Sequence, residues 1–260
     1  MKLVSFNVWS ATQGKVLFEY LKTLNPYTDI FCLQEIFNSG QGTPQVSEGA
    51  HLHLLEELQA HFPGYTSYYA ASSMGFEIKK AASWPVSFGK AIFIKSTIPI
   101  VGYSSYNLFD TREVEGTSVE EGYVVLQVLS IKSEGKLMHI LNIHGMSRPG
   151  SKIDTPARLV QSHRVLDVLA ALPSAPIILC GDFNLNPDTE SIGMLDKKLR
   201  NLIKEYKITN TRNEVSWRKF NTKQYFADYT FVSPDVKVKS FEVPYNEVSD
   251  HLPMILDFNI

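Results

Sequence analysis

Short apolar runs bounded by turn-forming residues alternate along this chain with segments whose apolar positions recur at helical spacing. Leu3 to Trp9 and Asp29 to Ile36 are the first two runs, and between them Lys15 to Leu24 predicts a helix stopped by Asn25-Pro26. A Gly-, Ser- and Gln-rich loop from Asn38 to Gly49 leads into a helix around Leu52 to His61. Strands then dominate: Thr66 to Ala71, Lys90 to Lys95, Tyr123 to Ile131 and Lys136 to His144. A tight Ser133-Glu134-Gly135 turn makes the last two an antiparallel hairpin. Asp154 to Ala171 is the clearest helix, with Asp154 or Thr155 as cap, Pro156 in the first turn and Leu159, Val165, Leu166 and Leu169 inside. Pro176 to Cys180 reads as a strand buried on both faces. A helix about Glu190 to Leu202, and strands at Phe226, at Val236 and from Leu252 to Phe258, complete the series. The pattern predicts an α/β fold of two packed mixed β-sheets flanked by helices.

The apolar runs end in polar groups that a core does not accept. Gly181-Asp182-Phe183-Asn184 follows the Pro176 run, Asn7 sits in the first strand, Glu35 closes the second, and Asp228 opens Ala227 to Val232. A buried carboxylate without a partner destabilises the fold or raises its own pKa, so these groups are expected to face a cation and water. One such end reads as an ordinary turn. Their recurrence reads as a site.

In chain order, the segments Ser5-Phe6-Asn7, Leu33-Gln34-Glu35, Asn142-Ile143-His144, Gly181-Asp182-Phe183-Asn184, Asp228-Tyr229-Thr230-Phe231 and Ser249-Asp250-His251 resemble the endonuclease/exonuclease/phosphatase superfamily. Its members include exonuclease III, deoxyribonuclease I, tyrosyl-DNA phosphodiesterases, deadenylases, neutral sphingomyelinases and inositol polyphosphate 5-phosphatases. The resemblance spans nearly the whole chain and implies a four-layer, deoxyribonuclease I-like α/β sandwich. It also implies that Asn7 and Asp250 complete or support a metal shell, and that His251 pairs with Asp228.

Phosphodiester hydrolysis needs charge neutralisation and in-line alignment of attacker and leaving group. Glu35 is the leading metal ligand, and the absence of a His/Cys cluster favours Mg²⁺ or Mn²⁺ over Zn²⁺. His51 and His53, two residues apart, do not share a helical face and make no metal pair. Asp182 is assigned to activate water and Asn184 to hold that water or a phosphate oxygen. His251 and His144 are assigned as donors to the phosphoryl group. One departure from the deoxyribonuclease I branch stands out: Ser87 to Ile92, where that branch carries the acid that partners the histidine, has none. Glu120-Glu121 falls near the place of its DNA-binding arginine.

The 260 residues, 44% hydrophobic and without a linker or repeat, fit a single domain over 1–260. Cys32 and Cys180 read as apolar fillers, and Met1-Lys2 runs straight into the first strand, so a cytoplasmic protein without a membrane segment is expected. A net charge of −2 argues against broad attraction to duplex DNA. Basic residues gather locally, at Arg148, Lys152 and Arg158 and at Arg212, Arg218 and Lys219, and both loops are expected to open on the site. Trp217 and Trp84 are placed to stack a base, whereas Arg158 and Gln161 read as solvated or structural. The expected activity is Mg²⁺-dependent hydrolysis of single-stranded, terminal or small nucleic acid, with no obligate protein partner. The alternative is a phosphatase or phospholipase C-like hydrolase on inositol phosphates or sphingomyelin, the latter weakened by the lack of an apolar anchor. A dead hydrolase core acting as a binding protein is set aside because all six segments keep their polar positions.

Overall fold

The computed structural model describes residues 1–77, 80–110, 122–221 and 223–260. The acidic loop Glu113 to Glu121 and the side chain of Lys219 lie outside the described residues. Two six-stranded mixed sheets form the centre. The first contains β1 (Lys2–Asn7), β2 (Ile30–Ser39), β3 (Tyr65–Met74) and β4 (Val86–Lys95). The second begins with β5 (Ile100–Asp110), β6 (Tyr123–Ser133), β7 (Lys136–His144), β8 (Ile177–Asp182), β9 (Arg200–Asn201) and β10 (Asp228–Val232), and the chain returns to the first through β11 (Lys237–Glu242) and β12 (Met254–Asn259). Their orders are β11-β12-β1-β2-β4-β3 and β9-β10-β8-β7-β6-β5.

Helices α1 (Lys15–Leu24) and α2 (Leu54–His61) cover the outer face of the first sheet through Leu17, Phe18, Leu21, Leu54 and Leu58. Helices α3 (Pro156–Ala171), α4 (Glu190–Asp196) and α5 (Leu202–Glu205) lie on the second, and the short α6 (Glu214–Phe220) precedes β10. The principal core lies between the sheets, where Leu3, Cys32, Ile92 and Ile94 meet Leu129, Ile140, Ile178 and Cys180. At about 25 cal/mol per Å² of apolar surface removed from water, this contact drives the assembly. Parallel pairing occurs once in each sheet, β1 with β2 and β7 with β8. No helix among the described residues is long and apolar enough to cross a membrane.

Local chemistry accounts for the differences from the sequence reading. The first strand stops at Asn7 because Trp9, Ser10 and Ala11 turn left-handed, with φ of 48°, 49° and 54°. β5 was not foreseen: it is an edge strand with exposed Val101, Ser104, Ser105 and Tyr106, so it lacks a readable apolar period. The expected helix from Glu190 to Leu202 ends at Asp196, since Arg200 and Asn201 pair with β10 and the Asn201 side chain caps α5 by accepting from the Ile203 and Lys204 N–H groups. In α3, capped by Thr155, the buried face carries Arg158, Gln161 and Ser162 with Ala157 and Val165. The expected Leu159, Leu166 and Leu169 are only half-buried. The β6–β7 hairpin closes as expected through Glu134 and Gly135, both at positive φ.

Candidate active site

The polar strand ends converge at one edge of the sandwich. In the second sheet His144, Asp182 and Asp228 stand side by side in register on β7, β8 and β10. Gly181 permits this close pairing: at φ 138°, a Cβ there would lie 2.0 Å from the Ile143 carbonyl oxygen. From the first sheet, β1 delivers Asn7, and a bulge between Gln34 and Ile36 turns Glu35 out of the ladder at φ 61°. The segment 249–251 is tied to β1 by the Ser249 hydroxyl donating to the Asn7 carbonyl at 2.7 Å.

Asp182 Oδ2 is the hub. Asn7 Nδ2 donates to it at 3.0 Å, while His251 Nε2 and His144 Nε2 stand 3.6 and 3.7 Å away. The same Asn7 amide donates to Glu35 Oε1 at 3.0 Å, and its oxygen accepts the Trp9 N–H. The left-handed turn at Trp9 thus orients Asn7 between two carboxylates. Asp228 grips His251 Nδ1 with both oxygens, at 2.8 and 3.0 Å, and its backbone is held by the Thr211 hydroxyl, which accepts from the Ala227 and Asp228 N–H groups. Asp250 accepts from Arg212 Nη2 at 3.0 Å, and its other oxygen lies 3.8 Å from His251 Nε2.

Burial and charge set the protonation states. Burial pushes the Asp182 carboxyl upward, but His251, His144, Lys152 and Arg212 overcome it and bring the pKa to about 2, so the group is ionised at neutral pH. Burial lowers His144 to about 4, against the pull of Asp182, and leaves it neutral. Asp228 is raised well above its usual range by burial and by the Asp182 charge, and His251 is lowered by burial and by Arg212. Both shifts favour the uncharged forms of the pair. Nε2 of His251 faces two carboxylates, Asp182 Oδ2 at 3.6 Å and Asp250 Oδ1 at 3.8 Å, which favour a proton on it.

Of the residues named from sequence, Asn7, Glu35, His144, Asp182, Asn184, Asp228, Asp250 and His251 come together. The expected basic rim does not form as drawn. Lys152 is 6% exposed and donates to Asn184 Oδ1 inside the site, and Arg158 is fully buried among loop carbonyls. Arg218 pairs with Glu247 at 3.0 Å in solvent, while Arg148 is exposed. Trp217 is half-buried, packed edge-on against Tyr225 with its indole N–H on the Gln224 carbonyl. The indole N of Trp84 is buried, which leaves that ring in the small cluster of Phe37, Leu52 and Val86. Arg212 and Thr211 are contributors to which sequence reasoning gave no role; the only signal was the place of Arg212 in a basic cluster.

Glu35, His144 and Asp182 offer ligand atoms within 4.8 Å of one another, as do Asp182, Asp228 and His251. Asp250 Oδ1 is buried without a hydrogen-bond partner, the state of an acceptor that awaits a cation or a donor. An oxygen-rich set of this kind fits a hard divalent ion.

The model of the endonuclease/exonuclease/phosphatase family matches residues 4–251. No curated protein sequence matches the chain. Among solved structures, the human Nocturnin catalytic domain with bound sulfate is 20% identical with a TM-score of 0.71, over 100% of this chain and 93% of that one. A mannosyl-6-phosphatase of Bacteroides thetaiotaomicron is 20% identical at TM-score 0.69, with both chains fully covered. A humanized TDP2 of D. rerio is 16% identical at TM-score 0.70, over 100% and 99%. These likenesses establish the shared four-layer sandwich.

Proposed function

Since the chain belongs to the endonuclease/exonuclease/phosphatase family, whose members hydrolyse phosphoester bonds, we propose that it is a Mg²⁺- or Mn²⁺-dependent phosphodiesterase acting on short, single-stranded or terminal nucleic acid. The observation that carries this reading is the convergence of one ionised carboxylate, Asp182, with two imidazole Nε2 atoms within 3.7 Å.

Glu35 and Asp250 would hold the ion, with Asn7 ordering the shell. When bound, the ion neutralises charge on the phosphoryl group. Asp182 accepts the proton of the attacking water, a role suited to a base that is ionised at neutral pH. His251 Nε2 donates to a non-bridging oxygen as charge builds, and Asp228 fixes the ring from the other side. His144, neutral, donates a single N–H beside it.

The substrate follows from the surroundings. Lys152, Arg158 and Arg212 are buried and Arg218 is paired with Glu247, so these four cations form no exposed basic track leading away from the site. Long duplex needs such a track. A second reading, a phosphomonoester or phosphodiester on a small molecule such as an inositol or sugar phosphate, draws on the same observation. A panel of single-stranded DNA, RNA, plasmid, bis-p-nitrophenyl phosphate, inositol phosphates and sugar phosphates, each with Mg²⁺ and with EDTA, separates the two. Cleavage of oligonucleotides in preference to plasmid supports the first reading. Turnover of small phosphates with every nucleic acid intact replaces it by the second.

A further inference from the structure

Asn184 is tied into the wall of the site at both ends of its side chain. At φ 57° it leaves the strand end with its N–H on Asp182 Oδ1 at 2.9 Å; its side-chain N donates to the Gly145 carbonyl at 3.2 Å, and its side-chain O accepts from Lys152 Nζ. Both ends of the carboxamide are therefore engaged. The group presented to the site from this wall is the ammonium of Lys152. Among the described residues Asn184 is its one hydrogen-bond acceptor, leaving two of its three protons available. Its charge is among those that hold Asp182 ionised, and at 6% exposure it is more open than Asp182 at 1%.

The loop that carries Lys152 is built to present it. The Arg158 guanidinium, fully buried, donates to the carbonyls of Ser151 and Ile153, on either side of Lys152, and also to Met146, Ser147 and Pro149. The Gln161 side chain accepts the Met146 N–H at 2.9 Å, and the Lys152 carbonyl accepts the Asn186 N–H at 2.7 Å. A buried ammonium with one neutral acceptor is poorly solvated, and a phosphoryl oxygen would relieve that deficit.

We infer that Lys152 is a catalytic residue that donates to an oxygen of the transferred phosphoryl group, and that Asn184 and Arg158 are positioning residues acting through it. The inference rests on the phosphoesterase reading above. No bond is made or broken by Lys152; it supplies hydrogen bonds and one fixed positive charge.

The test is a double-mutant cycle with bis-p-nitrophenyl phosphate as probe. Lys152→Met is expected to lower kcat by roughly 100- to 1,000-fold, the size of losing one oriented donor, with little change in the Mg²⁺ concentration for half-maximal rate. Asn184→Ala should cost a similar factor, the double variant little more than either single one, and Asn184→Asp, which keeps an acceptor for Lys152, should recover part of the rate. In Lys152→Ala, added ethylammonium should restore activity, a readout independent of how any one variant packs. The inference is overturned if Lys152→Met stays within threefold of an active wild type, or if the Lys152 and Asn184 effects multiply. A wild type inactive on every phosphoester overturns the underlying reading, and this inference with it.

Discussion

Lys90 offers a stability test that no surface residue provides. It lies on β4 opposite Gln34, on the face that carries Ile92 and Ile94 into the inter-sheet core, and it is fully buried. Its one hydrogen bond among the described residues goes to the Ser72 hydroxyl at 3.2 Å. Burial lowers the ammonium from 10.5 to about 7. At 1.36 kcal/mol per pH unit, that displacement represents about 5 kcal/mol of folding penalty. Because the folded pKa is below the unfolded one, the unfolded chain binds more protons between pH 7 and 10.5. The penalty is thus complete below about pH 7 and fades as pH rises to about 10. Lys90→Met keeps the volume and removes the charge, at a cost of about 1 kcal/mol for the hydrogen bond to Ser72. We expect it to be more stable than wild type by about 4 kcal/mol at pH 6, raising Tm by roughly 8–16 °C, with the gap closing by pH 10. Thermal unfolding followed by circular dichroism at pH 6, 8 and 10 measures this. A variant less stable than wild type at pH 6, or a gap that does not change with pH, refutes the reasoning.

Asp182→Asn and His251→Ala should each reduce kcat by roughly two to four orders of magnitude while far-ultraviolet circular dichroism stays unchanged. Because Asp228 acts through His251, combining Asp228→Asn with His251→Ala should cost far less than the product of the single losses in steady-state rate. With Asp182 at about 2 and His144 at about 4, neither produces an acid limb above about pH 5 in the kcat profile. Deprotonation of the Asp228–His251 pair as pH rises should give the alkaline limb, and Asp228→Asn should displace it. Glu35→Gln should raise the Mg²⁺ concentration for half-maximal activity by roughly tenfold in a metal titration.

The site was legible where a strand carried its residue. Asn7, Glu35, His144, Asp182 and Asp228 each sit at the end of an apolar run, and strand periodicity with its abrupt change to a polar group is a local signal. The two-sheet architecture followed from the same runs. The fate of the basic residues was not legible, because it depends on loop closure. Lys152 and Arg158 are drawn inward by carbonyls and by Asn184, and Arg212 by Asp250, contacts that no sequence period encodes. Asn184 was found, but its orientation toward Lys152 was beyond reach. The buried polar stripe of α3 misled the helical reading for a related reason: Arg158 and Gln161 are interior residues whose partners are the loop before the helix.

The most direct measurement is hydrolysis of bis-p-nitrophenyl phosphate by wild-type protein, first stripped with EDTA and then titrated with Mg²⁺ and with Mn²⁺, beside Asp182→Asn under identical conditions. The account predicts no turnover in EDTA, recovery with either ion, and a loss of at least about 100-fold in the variant at saturating metal. Full turnover in EDTA, or an Asp182→Asn rate equal to wild type, would contradict it.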